Sequence, residues 1–156
     1  MKLEEAINQK KFSHEWHKAT INILYTGNWL EAKIKKTLKQ HNITVQQYNV
    51  LRILRGQHPD PISTSVIRAR MLDKMSDASR IVERLNKKKL VTRTPCPQDK
   101  RLVDIIINSQ GLDLLKMIDL EKEKVEFVLN NLSVEEAQML NELLDKARKG
   151  REAQHK

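Results

Sequence analysis

Apolar positions along this chain recur with helical spacing in most segments and with strand-like content in one. From about Ser13 to Gln40, Trp16, Ala19, Ile23, Leu30, Ile34 and Leu38 return mostly at steps of three and four, which predicts one long helix. Ile21, Leu24, Tyr25, Trp29 and Ala32 widen the stripe beyond what one partner surface needs, so packing on more than one side is expected, with Gly27-Asn28 as a weak point. In TVQQ, Thr44 and Gln47 have capping-box spacing and open a helix that buries Tyr48, Leu51 and Leu54 and ends near Gly56, before the prolines of HPDP. A short helix from near Ser63 carries Val66, Ile67 and Met71. Only Asp73-Lys74-Met75 separates it from a helix starting at Ser76, whose apolar face is Ala78, Ile81, Val82 and Leu85. Two short helices joined by so tight a turn have helix-turn-helix grammar.

The period then changes. Leu90 to Thr94 is rich in β-branched residues and runs into PCPQDKR, where the prolines around Cys96 predict a hairpin tip, and Leu102 to Ile107 returns as a strand. A hairpin after a helix-turn-helix makes a winged helix, with Asp99-Lys100-Arg101 on the wing. Asn108 is placed to cap a long helix from about Gln110 to Asn130, whose middle, Glu121 to Lys124, is charged. Ser133 and Glu136 form a second capping box before the stripe Ala137, Leu140, Leu143, Leu144 and Ala147, and the tail from Arg148 is expected to fray. The expected fold class is mostly α, an α+β winged helix. Residues 44–108 form the winged helix-turn-helix domain, and residues 1–43 and 109–156 supply outer helices with more apolar surface than so small a domain can cover. Two copies interlocking these helices is the economical solution.

Charge sharpens this division. The chain carries a formal +9. Between Thr44 and Asn108, 13 Lys/Arg face 6 Asp/Glu, against 16 and 14 in the rest of the chain, so +7 lies in the winged-helix segment. Localised positive charge is the footprint of a phosphate-backbone binder, which gains entropy by releasing condensed counterions. The remaining composition, 39% apolar and 31% charged, is ordinary for a globular protein. No run reaches the length of a membrane span and MKLEEAINQKK lacks a signal-peptide stretch, so a cytoplasmic location with no membrane partner is expected. A single cysteine, Cys96, excludes an internal disulfide and a Cys-rich zinc site. The chain has no nucleophile elbow, phosphate loop, HExxH or persuasive carboxylate constellation; neither an enzyme nor a bound cofactor or metal is expected.

The order of one long helix, a winged helix-turn-helix and two further helices resembles the MarR family of transcriptional regulators over about Phe12 to Lys149. The matching stretches are TVQQYNVLRIL, SRIVERLNKKKLVTR, DKR at the wing and INSQG before the next helix. The resemblance implies an obligate homodimer on a palindromic site in double-stranded DNA, repression by blocking a promoter, and often a small-molecule effector bound between the DNA-binding lobe and the dimerisation helices. Two positions depart from the family pattern. Lys89 stands where members commonly have Gly, which suits a left-handed helix cap, and Asn108 replaces a Thr but caps equally well.

Arg80 and Arg84, four residues apart and on one outward stripe with Asp77, are with it candidate DNA-binding residues, and the two arginines fit bidentate guanine readout because the guanidinium fork matches the two acceptors on guanine's major-groove edge. The alternative for Arg80 is an intrahelical pair with Asp77; for Arg84 it is a phosphate contact or a structural pair with the wing. Ser76 and Ser79 are base readers or capping groups. By the resemblance, Asp99 holds the wing and Arg101 reaches a minor groove or a phosphate; a flexible surface charge is the alternative. Lys74, Arg93 and Lys100 read as backbone anchors, and Ser65 and Arg68, with Ser63, Thr64 and Arg70, as phosphate contacts beside the supporting helix. Cys96 is a redox switch on the wing or, more plainly, an incidental thiol, since no cation adjoins it to favour the thiolate. His14 and His17 have a spacing that could share a metal, yet no further ligands accompany them and a surface role is expected. Trp16, Tyr25, Trp29 and Tyr48 line an effector pocket or are simply core. Two functions remain: a sequence-specific DNA-binding regulator, or a winged-helix adaptor that presents the same basic surface to an acidic protein.

Overall fold

Side-chain caps set most of the helix starts. In the computed structural model, which describes residues 1–96 and 103–149, the elements are α1 (Leu3–Ala6), α2 (Glu15–Lys39), α3 (Val45–Gln57), β1 (Ile62–Ser63), α4 (Thr64–Arg70), α5 (Ala78–Lys87), β2 (Val91–Pro95), β3 (Val103–Ile107), α6 (Ser109–Asp119), α7 (Lys122–Val125) and α8 (Val134–Arg148). Thr44 Oγ1 accepts from Gln47 N at 3.1 Å while Gln47 Oε1 accepts from Thr44 N at 3.2 Å, so the capping box of α3 is complete. Ser133 and Glu136 repeat the arrangement at α8. Asn108 Oδ1 accepts from Gly111 N at 3.0 Å and its Nδ2 donates to Lys89 O at 2.9 Å, joining the start of α6 to the end of α5. α2 runs unbroken through Gly27-Asn28, so the suspected weak point is not a break.

The sheet is antiparallel with order β1-β3-β2 and registers Ile62↔Ile105, Val91↔Ile107 and Pro95↔Val103. Pro95 occupies the last rung of β2 rather than the tip, which an edge strand tolerates because no ladder donor is needed on its outer side. One core joins Leu38 of α2, Val50, Leu51 and Leu54 of α3, Ile67 of α4, Val82 and Leu85 of α5, Ile105 and Ile107 of β3, and Leu115 and Ile118 of α6. α6 lies so close to the start of β2 that a Cβ on Gly111 would sit 2.3 Å from Leu90 O; only glycine fits there.

The long helix expected from Gln110 to Asn130 is broken. α6 ends at Asp119, Glu121 N turns back to Ile118 O at 2.9 Å, and α7 is a single turn. The charged Glu121–Lys124 stretch offers no continuous apolar face, and the Glu121 carboxylate instead takes hydrogen bonds from Gln40 Nε2 at 2.7 Å, His41 Nε2 at 2.9 Å and Lys124 Nζ at 2.9 Å. These contacts hold its pKa at about 2, Lys124 contributing most, then His41 and Gln40. A depressed carboxylate stabilises fully above its ordinary value of 4.5 and loses that contribution as pH falls through about 2. Glu121→Gln should therefore make the fall in Tm between about pH 4.5 and 2 shallower than in the wild type, as followed by circular dichroism; an unchanged acid limb would refute the linkage.

Lys89 keeps the backbone that glycine would favour. Its φ is +59°, Lys89 N donates to Asn86 O at 2.9 Å and Leu90 N to Leu85 O at 3.0 Å, which is the paired bonding of a Schellman cap. A left-handed non-glycine residue costs about 1–2 kcal/mol, and glycine's extra freedom in the unfolded chain returns about 0.4–1 kcal/mol of that. Lys89→Gly should raise unfolding stability by about 0.5–1 kcal/mol in urea titration, whereas a lowered midpoint would mean the lysine side chain contributes more than the strain costs.

Candidate nucleic-acid interface

α5 is fixed on one side and open on the other. Ala78, Val82 and Leu85 are buried in the core, while Ser79, Arg80, Glu83, Arg84 and Lys87 are exposed. Arg80, Arg84 and Lys87 follow steps of four and three, so the cations form one outward stripe. Glu83 pairs with Lys87 at 2.8 Å, and that hydrogen bond, before the charges of Lys87, Arg93 and Arg84, holds its carboxyl below the usual range.

The cap of this helix falls one residue later than the sequence pattern predicts. Asp77 is the N-cap: its Oδ1 accepts from Ser79 N at 2.9 Å and Arg80 N at 3.2 Å. These first-turn amides are thus already satisfied by a carboxylate, and Asp77 shapes the helix start. Its Oδ2 lies 3.5 Å from Arg80 Nε, so the intrahelical pair exists, but the two side chains are 57% and 79% exposed. An exposed pair of this kind is worth little and leaves Arg80 free to exchange partners.

Asp73 organises the preceding turn, a role not expected from the sequence. It accepts from Met75 N at 2.9 Å and from Ser76 Oγ at 2.6 Å, and the latter bond is the main reason its pKa is lowered. Ser76 is therefore committed to the turn, whereas Ser79 stands exposed on the outer face. Leu72 N donates to Asn49 Oδ1 at 3.0 Å, fastening the turn to α3. The Lys74 ammonium also donates to Ala69 O at the end of α4. The signal for Asp73 was readable, because Asp two residues before an amide it can accept from is a common turn device.

Around this turn, Ser63 caps α4 and meets Ser65 Oγ at 2.8 Å, Arg70 reaches Gln57 Oε1 at 2.9 Å, and Arg68 is exposed in the last turn of α4. Arg93 is exposed on β2, and Cys96 is a half-buried free thiol at its end. Asp99, Lys100 and Arg101 lie outside the described residues. At the other end of α5, the Lys88 ammonium binds Asn42 O and Gln47 Oε1, tying the helix to the α2–α3 corner. A groove of about 730 Å³ opens beside it, walled by Lys35, Lys39, Arg84 and Lys87 with Glu31 opposite in charge.

The remaining sequence candidates separate from this surface. His14 Nδ1 accepts from His17 N at 3.0 Å, so His14 is the N-cap of α2; among the described residues no cluster of three or more metal-ligating side chains occurs. Trp16 and Trp29 are 77% and 38% exposed in the single chain, and Tyr48 is half-buried with its hydroxyl accepting from Arg52 at 2.9 Å. No helix among the described residues is long and apolar enough to cross a membrane.

A locked turn, a capped helix with an outward cationic stripe and a hairpin behind it define a winged helix-turn-helix. Residues 41–102 match the model of the MarR family. The HTH-type transcriptional repressor IacR of Pseudomonas putida is 27% identical over 128 residues, which cover 81% of this chain and 72% of that protein. A MarR transcription factor from Planctomyces limnophilus superposes with a TM-score of 0.65 at 29% identity, covering 86% of this chain and 98% of that one. BpsR of Bordetella bronchiseptica, whose DNA binding is regulated by 6-hydroxynicotinic acid, shares the fold with a TM-score of 0.69 at 21% identity, covering 84% and 98%. The chain is thus similar to MarR-family regulators, through the family model over its winged-helix segment and through these relatives over most of its length.

Proposed function

We propose that this protein is a sequence-specific double-stranded DNA-binding transcriptional regulator, a homodimeric repressor that occupies a palindromic operator. The observation that carries the reading is the outward stripe of Arg80, Arg84 and Lys87 on a helix whose opposite face is locked into the core. Such a helix can enter a major groove without losing its own packing. Residues 44–108 act as the reading head, with Arg80 on a guanine edge, Arg84, Arg68 and Arg93 on phosphates, and the wing residues Lys100 and Arg101 beside the groove. Residues 1–43 and 109–156 join two copies. In support, α2 exposes Trp16, Ile23 and Leu24, while α8 buries none of its side chains and leaves Met139 and Leu143 at 64% and 57% exposure. A second chain is the partner of matching chemistry for both faces. Release by a small-molecule effector is supported by the example of BpsR and by the groove between α2 and the reading head.

Footprinting and gel shift against the DNA flanking the gene should reveal an inverted repeat; a folded, dimeric protein that binds no palindrome at low salt would overturn the reading and favour the acidic-partner adaptor. Arg80→Ala should cost about 1–3 kcal/mol on the selected site and relax preference at one base position. An equal loss on random DNA would reassign Arg80 to a phosphate. Arg101→Ala should weaken all sites and lower the salt slope by about 1 for each phosphate no longer neutralised, with an unaltered sedimentation mass.

A further inference from the structure

The turn that precedes the recognition helix holds an apolar side chain that the fold does not use. Met75 is 94% exposed, two residues before the N-cap Asp77. Its backbone is anything but loose: Met75 N is bound by Asp73 Oδ1, Ser76 Oγ by Asp73 Oδ2, and Leu72 N by Asn49 Oδ1. The methionine is thus presented from a locked turn at the N-terminal end of α5, the end that meets base edges when a helix-turn-helix docks. Its neighbours in the turn and the helix start include the exposed cations Lys74 and Arg80. On the floor of a major groove the one apolar group is the C5-methyl of thymine. A flexible thioether can follow such a methyl without an exact fit.

Resting on the DNA-binding reading above, we propose that Met75 is a specificity-determining residue that packs on a thymine methyl in each half-site, next to the base read by Arg80. Leu72, though 85% exposed, serves as the internal contrast. It borders a groove with Glu31, Ile34 and Asn49, on the α2–α3 side of the turn.

The test begins by selecting duplexes from a random pool with the wild-type dimer. Each thymine of the selected half-site is then replaced by deoxyuridine, which removes only the methyl, and affinities are read by fluorescence anisotropy. Wild type should lose about fourfold per half-site at one thymine, the effect of one buried methyl. Met75→Ala should bind the thymine and deoxyuridine forms of that position alike, with unchanged Tm and sedimentation mass, and Leu72→Ala should discriminate as the wild type does. The proposal is overturned if Met75→Ala retains the discrimination, if Leu72→Ala loses it equally, or if the wild type is indifferent to every methyl. A wild type that selects no sequence at all would instead bring down the DNA-binding reading on which this one rests.

Discussion

The structure depends on one constraint: α5 must be buried along one side and held at both ends while its other side stays free. Val82 and Leu85 are 2% and 0% exposed, so their removal from water supplies most of what fixes the helix. Burial alone would allow the helix to slide or rotate about its axis. Asp77 at one end and the cap at Lys89 at the other remove that freedom, because each satisfies backbone groups only in one register. Asn108 then bonds the carbonyl of Lys89, so the end of the recognition helix and the return from the wing are positioned by one side chain.

The polar contacts between α3 and the α6–α7 segment act on orientation more than on stability. Arg55 meets Asp119 at 2.6 Å, Arg52 meets Glu126, and Glu121 bonds Gln40 and His41 at the α2–α3 corner. The arginine pairs are partly exposed, and pairs of that kind contribute little each. Their arrangement matters because the arginine pairs join α3 to the α6–α7 segment and the Glu121 bonds join that segment to the end of α2. Several weak, directional contacts there can select one angle between two bodies that the apolar core alone would hold less specifically.

Much of this was legible because the decisive residues are neighbours in sequence. Thr44 with Gln47 and Ser133 with Glu136 specify helix starts locally, and the face of Ala78, Val82 and Leu85 specifies which side of α5 is buried. β1 was missed because two residues have no period to detect; Ile62 and Ser63 become a strand only by pairing with Ile105 and Asp104. The break after α6 was missed for a related reason. Glu121 is drawn to Gln40 and His41, some eighty residues earlier, and no local pattern announces such a pairing. At the candidate site, the cationic stripe was readable from spacing and Asp73 from its place two residues before an amide, whereas the role of Asp77 as cap depended on where the helix begins. A shift of a single residue moved Asp77 from the outward stripe to the helix cap.

The same core that fixes α5 also ties it to the outer helices. Leu38 near the end of α2 and Leu115 and Ile118 of α6 share one apolar cluster with Val82 and Leu85, so the end of α2 and α6 pack into the same core as α5. The first half of α2, with Trp16, Ile23 and Leu24 exposed, extends beyond that cluster. A close-packed core resists continuous deformation. A displacement of the inner end of α2 would therefore carry α5 with it rather than deform the cluster between them. The groove walled by Lys35, Lys39, Arg84 and Lys87 lies between α2 and α5, so a molecule seated there would touch both the outer helix and the cationic stripe.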